Sequence, residues 1–347
     1  MASTPHLPSA ILVHEYVTGG GWPEPELPRA LAAEALAILQ ALLADARAWG
    51  RFPVVTTRDA RLDGVGLPAD RVVELDHRVY RTELAALAAE CGAAIVVAPE
   101  SGGALEDVTR LLAGAGVAVL GSAPEAVAVA ADKWVCHRRF VGAGLPTPQT
   151  LRVAPAGAAA AAERLGYPVV VKPLDGAGCA GVCLAADRPA LEGALALPAL
   201  RREPAVLVQR YAGGMAGSVS LLVAGGRSVA VSLNEQRLCP GAPFTYDGGV
   251  ASVGHPRRAE AEDLAREAVA LVPGLQGYVG VDVVLGRDDC KLIEINPRPT
   301  TSCVGLCRVA GLNLVAAIWD ACRHGVLPAP GRRAPSFAFE AGCPDGA

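Results

Sequence analysis

The first third of the chain alternates strand-length apolar runs with Ala- and Leu-rich helical stretches, and this alternation restricts the fold more than any other feature. "AILVHEY" (Ala10–Tyr16) reads as a buried strand, and "LPRALAAEALAILQALLADARAWG" as a long helix that Gly50 stops. "FPVVTT", "RVVEL", "AAIVVAP" and "VAVLG" are further strands with helices between them. Strands joined through helices form a parallel sheet, and such sheets gather ligands at the carboxyl ends of their strands. Glu15, the Thr18–Gly21 turn and the Glu100–Gly103 stretch lie at those ends.

A second pattern follows. "SAPEAVAVAADKWVCHRRFVGAGLPTPQT" predicts a capping serine (Ser122), a short helix, an Asp-Lys pair and a second helix. An Ala-rich helix near 156–165 then leads into "YPVVVKPLDGAGCAGVCLA", a strand, a glycine-rich loop and a strand. From Ala205, "AVLVQRY", "SVSLLVAG", "RSVAVSLNEQ", "YVGVDVVLG" and "CKLIEIN" read as one largely antiparallel sheet, covered by helices near 258–272 and 313–323. The tail after Pro328, rich in Pro, Arg and Gly, is expected to be loosely ordered. The expected division is 1–124, 125–205, 206–330 and a tail at 331–347.

The bulk numbers exclude several classes. With 347 residues and 52% hydrophobic content the chain can bury large cores in two or three domains. A net charge of −4, with no arginine-rich stripe or aromatic platform, argues against nucleic acid. No unbroken apolar run would cross a bilayer, and "MASTPHLPSA" lacks the layout of a signal peptide, so the expected location is cytoplasmic with no membrane partner. The ten cysteines are scattered without a CxxC pair and read as small buried hydrophobes.

Three groups of residues carry chemistry. Lys172 closes the apolar run "PVVVKP", where an ammonium needs an anionic partner. The following Gly176, Gly178 and Gly181 let backbone N–H groups turn toward a phosphate. An ordinary glycine-rich hairpin with a snorkelling lysine fits the same letters. Lys133 follows Asp132 near a helix start, where basic charge opposes the macrodipole; a surface lysine is the plain alternative. "KLIEINPRPTTS" (291–302) places Glu294 and Asn296 on one strand face, and a hairpin partner "GVDVVLG" brings Asp282 to it. Two carboxylates and an amide oxygen suit magnesium, and Arg298 beyond Pro297 suits a carboxylate or a transferring phosphoryl group.

In this order the motifs resemble the ATP-grasp superfamily over nearly the whole chain. "DKWVCHRRFVGAGLPTP" resembles its first lysine helix and "YPVVVKPLDGAGCAGV" its second lysine and flexible loop. "VLVQRYAGGMAGSVSLL" resembles its hinge, and "GVDVVLGRDDCKLIEINPRP" its metal strand pair. The resemblance implies an α/β pre-ATP-grasp domain with a parallel sheet, then two α+β grasp lobes. It implies ATP held by Lys133, Lys172 and the loop glycines, and by Gln209, Arg210, Tyr211 and Ala212 at the hinge. It also implies magnesium, with manganese as a substitute, on Asp282, Glu294 and Asn296, and Arg298 and Lys172 acting in catalysis. The hinge departs from the family in lacking an acid, so the ribose contact must come from elsewhere or be weaker.

"HEYVTGGGW" and "SLNEQRLCPGAPFTYDGG" resemble the tyramine–glutamate ligase branch, which serves methanofuran-type cofactor synthesis. That branch implies small-molecule partners, an amino acid and an amine. Glu15, Thr18 and Gly19 are then expected at a substrate's charged groups, and Asn234, Gln236 and Tyr246 along the acceptor site. A ligase for other amino-acid or dipeptide substrates, and a nucleotide-binding module without catalysis, are the alternatives. Whether like chains assemble into a homo-oligomer is left open.

Overall fold

The computed structural model describes residues 7–176, 178–309, 311–329 and 335–340. The first domain runs β1 (Ala10–Glu15), α1 (Arg29–Trp49), β2 (Val54–Asp59), β3 (Arg71–Leu75), α2 (Tyr80–Cys91), β4 (Gly92–Val97), α3 (Ala104–Gly114) and β5 (Ala118–Val119). Its five strands lie parallel in the order β3-β2-β1-β4-β5. Central β1 is buried along its whole length, which is why it reads as a continuous apolar run rather than an alternating one. Gly50 ends α1 at φ 66°, its N–H donating to the Ala46 carbonyl. The strand order reverses between β1 and β4, so Glu15 and Glu100 emerge beside the sheet's switch point.

The small lobe follows: α4 (Pro124–Ala131), α5 (Lys133–Gly142), β6 (Thr150–Val153), α6 (Ala158–Leu165), β7 (Val169–Lys172), β8 (Cys183–Ala185), α7 (Arg188–Leu195), α8 (Pro198–Arg201) and β9 (Val206–Arg210). Two expectations need correction. β9 does not open the following sheet; it pairs antiparallel with β6 and β7 in the order β6-β9-β7-β8. Its alternate residues Val206 and Val208 complete an apolar layer with Ala162, Val171 and Leu191 under α6 and α7. Ser122 does not cap α4; Ala123 holds the N-cap position, and the Ser122 hydroxyl instead accepts from the Gln276 N–H at 3.2 Å.

The large lobe comprises β10 (Met215–Ala224), β11 (Arg227–Cys239), β12 (Thr245–Ala251), α9 (Arg258–Ala270), β13 (Gly277–Leu285), β14 (Cys290–Asn296), α10 (Ser302–Val309), α11 (Leu314–His324) and β15 (Phe337–Phe339). Its sheet has the order β14-β13-β10-β11-β12-β15. The tail expectation is corrected at β15, whose Phe339 pairs with Gly249 at the sheet edge and is buried. The tail stretches 330–334 and 341–347 lie outside the described residues. Among the described residues no single helix is long and apolar enough to cross a membrane.

A shared core joins the first domain to the large lobe. Ile11, Leu39 and Ile95 pack in one cluster with Tyr278, Leu306 and Trp319. The Trp319 ring, 1% exposed, lies 4.9 Å from Phe52 and 5.9 Å from Trp49, centroid to centroid. Truncating it leaves a large apolar void between the two bodies, so Trp319→Ala is expected to lose about 3–5 kcal/mol. Urea unfolding followed by far-UV circular dichroism checks this; an unchanged midpoint would refute a shared core.

Candidate active site

The three bodies enclose a cleft of about 620 Å³ lined by both lobes and by Glu34 from α1. The site begins with the β13–β14 hairpin. Asp282 pairs in register with Glu294, and Gly280 with Asn296, so the three polar side chains meet on one face. A bulge after Asp282 breaks the ladder just where these groups converge. Asp282 is hydrogen-bonded to Glu294 and Asn296, and the Gln236 amide donates to its Oδ1 at 3.2 Å.

Lys133 reaches this face from α5. The Asp132 carboxylate caps the helix by accepting from the Trp134 and Val135 N–H groups, offsetting the basic charge in the first turn. Lys133 Nζ lies 2.8 Å from Glu294 Oε2 and donates to the Gly176 carbonyl at 3.1 Å. Lys172 enters from the end of β7 and donates to Gln209 Oε1 at 3.2 Å. The Gln209 amide in turn donates to the Thr150 hydroxyl at 2.9 Å, so three strands of the small sheet fix one ammonium.

Burial and neighbouring charges split these groups. Burial draws the Lys172 ammonium down to about 8, more than the nearby Glu294 charge restores. Burial acts the same way on Lys133, but there Glu294, with Glu100 and Asp282 behind it, makes the net shift upward. Burial and the Glu294 carboxylate beside it hold the Asp282 acid well above the usual range. Burial also raises Glu294, yet Lys133 and Lys172 together hold it below its ordinary value. The environment therefore pushes the two acids apart, Asp282 upward and Glu294 downward. The donor set of two carboxylates and an amide oxygen suits magnesium, which keeps water and phosphate oxygens in its remaining positions. Among the described residues no group of three or more His, Cys, Asp or Glu side chains could hold a metal ion, so the two carboxylates depend on the Asn296 amide and on ligands from outside the chain.

Arg298 is partly buried and held from the first domain. Its Nε and Nη2 each lie 2.9 Å from a Glu100 carboxylate oxygen, and Nη1 donates to the Pro299 carbonyl at 3.2 Å. Glu100 thus occupies the Nε and Nη2 edge of the guanidinium, and Arg298 lines the cleft. Two residues further on, the Gly102 N–H donates to Asp175 Oδ2 at 2.9 Å, tying the first domain to the glycine loop. Gly176 and Gly178 line the cleft at φ 136° and 63°. Gly181 is turned away; a Cβ there would lie 3.1 Å from Ala199 and 3.3 Å from Pro173.

Gln209, Arg210, Tyr211 and Ala212 line the cleft beside Val170 and Met215, and Gln236 and Tyr246 line it too. The other four substrate candidates from the sequence, Glu15, Thr18, Gly19 and Asn234, lie off the wall. Glu15 is folded onto its own turn, accepting from the Val17 N–H, the Thr18 N–H and the Thr18 hydroxyl. Gly19 is packed so closely that a Cβ would meet the Glu15 carbonyl oxygen at 2.2 Å. Asn234 is fully buried, its amide donating to Ser220 and its oxygen accepting from Ser232. Sequence reading missed Glu34, Thr301 and Phe244 on the wall. Glu34 stands in a helix of ordinary amphipathic pattern, so only the packing of α1 on α10 reveals it.

Comparison with known proteins places this architecture. A pre-ATP-grasp domain profile matches residues 52–127, and an ATP-grasp domain profile matches residues 130–302. The chain belongs to the ATP-grasp superfamily. It is 31% identical to the tyramine–L-glutamate ligase of Methanocaldococcus jannaschii over 216 residues, 61% of this chain and 58% of that protein. It is 32% identical to the D-alanine–D-alanine ligase of a Synechococcus species over 220 residues, 60% of this chain and 67% of that protein. The chain thus spans under two thirds of the tyramine–glutamate ligase it matches. The crystal structure of an ATP-grasp superfamily protein from Archaeoglobus fulgidus aligns with a TM-score of 0.69 at 22% identity, over 94% of this chain and 90% of that one.

The low Lys172 value has a consequence for anion binding. Its charge is present below pH 8 and is lost above it unless a phosphate restores it. Nucleotide triphosphate affinity is expected to weaken as the pH rises from about 7 to 9. In Lys172→Arg, which stays charged throughout, that fall is expected to vanish. Titration calorimetry across this range decides; parallel curves for the two proteins would refute the shift.

Proposed function

We propose that this chain is an ATP-dependent carboxylate–amine ligase that forms an amide through an acyl phosphate. In that reading it joins L-glutamate to tyramine or tyrosine, a step of methanofuran-type cofactor synthesis. The observation that carries it is the meeting of Lys133, Lys172, Asp282, Glu294 and Asn296 under one glycine loop, in a relative of ligases for glutamate and for D-alanine. The apolar slot beside Gln209–Ala212 suits an adenine, with backbone groups of the hinge reading its edge. Asp282, Glu294 and Asn296 would hold magnesium, which when bound disperses the charge of a transferring phosphoryl group.

The chain's residues account for the remaining chemistry. Lys133 and Lys172 flank the phosphates and offset their charge. A carboxylate oxygen of the acid substrate bonds to the γ-phosphorus as the bond to ADP breaks. The amine then attacks the acyl carbon and loses a proton, and inorganic phosphate leaves with the former carboxylate oxygen. Arg298, held in place by Glu100, meets the oxyanion formed on that carbon. Asp175 ties the loop shut against Gly102, which keeps water from the acyl phosphate. Phe244 and Tyr246 give the wall an aromatic surface that suits an aryl amine.

Purified protein with ATP, magnesium, L-glutamate and tyramine is expected to release ADP and form a γ-glutamyl amide in equal amounts. Oxygen-18 placed in the glutamate γ-carboxylate is expected in the released phosphate. Release of AMP and pyrophosphate, or unlabelled phosphate, would overturn the acyl-phosphate route; labelled phosphate from a different acid would overturn glutamate alone. Glu294→Gln is expected to lower kcat by about 100-fold or more while retaining the parent circular dichroism spectrum. Parent turnover at limiting magnesium would remove Glu294 from the proposed metal set.

A further inference from the structure

Most cleft carboxylates already have partners. Glu294 meets Lys133, Asp282 accepts from Gln236, and Asp175 accepts from Gly102, while Glu100 behind the wall grips Arg298. Glu34 is different. It projects from the second turn of α1, in the first domain, onto the wall formed by the glycine loop and the start of α10. Among the described residues its only hydrogen-bond partner is the Thr301 hydroxyl, which donates to Oε1. Oε2 stays open over the loop, 3.9 Å from where a side chain on Gly178 would begin. The nearest strong cation it senses, Arg298, is engaged by Glu100 through both Nε and Nη2. Tyr246 and Cys179 line the same cleft as this carboxylate and the acid pair.

We propose that Glu34 is the anchor for a substrate ammonium group, and that the acid this enzyme activates is therefore an amino acid with a free amino group. The assignment rests on the ligase reading and deepens it. A carboxylate beside an amine stabilises its protonated form, and a protonated amine cannot attack an acyl phosphate. Glu34 therefore suits the ammonium that keeps its charge through the reaction rather than the attacking amine. The Thr301 hydrogen bond fixes the carboxylate's orientation, and the absence of a side chain at Gly178 leaves room above Oε2. The ammonium sits at Glu34 Oε2 while the reacting carboxylate lies toward the acid pair and Arg298. An acid substrate long enough to reach across both positions fits this geometry.

The test compares L-glutamate with glutarate, which has the same two carboxyl groups and no ammonium, in the wild-type protein and in Glu34→Gln. Loss of a charge-assisted contact is expected to raise the KM for glutamate about 10- to 100-fold. The KM for ATP should stay within about twofold, and the preference for glutamate over glutarate should collapse. Glu34→Asp should recover part of that preference. Binding of both acids to protein loaded with a non-hydrolysable ATP analogue, followed by calorimetry, gives a readout independent of turnover and confirms that each variant folds. If a screen shows another amino acid to be the substrate, the glutamate reading fails, and the same comparison is made between that acid and its des-amino analogue. A preferred acid that lacks an amino group overturns the Glu34 assignment while leaving the ligase chemistry standing. An undiminished preference in Glu34→Gln, or a KM for ATP that rises in step with that for glutamate, overturns it as well.

Discussion

The contact between Lys133 and Glu294 is the interaction around which the site is arranged. Both groups lie in the cleft wall, where an isolated charge would be expensive to desolvate and would neutralise instead. Together they offset that cost: Lys133 and Lys172 hold Glu294 below its ordinary value against burial, and Glu294 with the neighbouring acids holds Lys133 above its own. Burial and the Glu294 charge push Asp282 well above the usual carboxylate range. The hairpin thus presents two crowded acids to the cleft with cations beside them. A divalent ion carrying phosphates would relieve the crowding of the acids, so a site of this kind is arranged for a charge that arrives with the nucleotide.

This arrangement depends on the first domain more than a two-lobed grasp would suggest. Glu100 leaves β4 at the switch point and holds Arg298, 198 residues further along the chain, by two contacts of 2.9 Å. Gly102 then engages the glycine loop at Asp175. A single apolar cluster runs from Ile11 and Leu39 to Tyr278 and Trp319, so the body that carries Glu34 and Glu100 cannot shift without disturbing the sheet that carries the acids. Positioning within tenths of an ångström requires such continuity, since a displaced orienting group loses most of its effect on a reacting centre.

What the sequence showed and what it hid divide along one physical line. The strands of the first domain, α1 with its Gly50 stop and the acid face of the β13–β14 hairpin are local, and periodicity or a two-residue spacing suffices to read them. β9 was misplaced because "AVLVQRY" is an apolar strand in any sheet; only the demand for a cover over α6 and α7 assigns it to the small lobe. Glu15 and Asn234 looked available because polar residues at strand ends often face ligands. Glu15 is consumed by its own Asx-like turn, and Asn234 by the Ser218, Ser220 and Ser232 hydroxyls that crowd it in the sheet. Glu34 left no signal, because nothing in an amphipathic helix says which of its polar residues will meet another domain.

The two lysines show how one residue type serves two purposes through environment alone. Lys133 has a permanent counter-charge in Glu294 and is ionised whether or not a ligand is present. Lys172 has a neutral amide for its partner, and burial leaves its charge poorly compensated. An arriving phosphate is the missing counter-charge, so the Lys172 ammonium is strengthened by the ligand it contacts, whereas Lys133 is held ready beforehand. Gln209 makes this division stable: an acid there would pair with Lys172 and remove its need for phosphate, while an apolar residue would leave the ammonium without a hydrogen-bond acceptor. The same substitution accounts for the hinge's lack of an acid. The side chain at position 209 turns inward to Lys172 and Thr150 rather than outward to a ribose, so its amide is shaped by the lysine it supports.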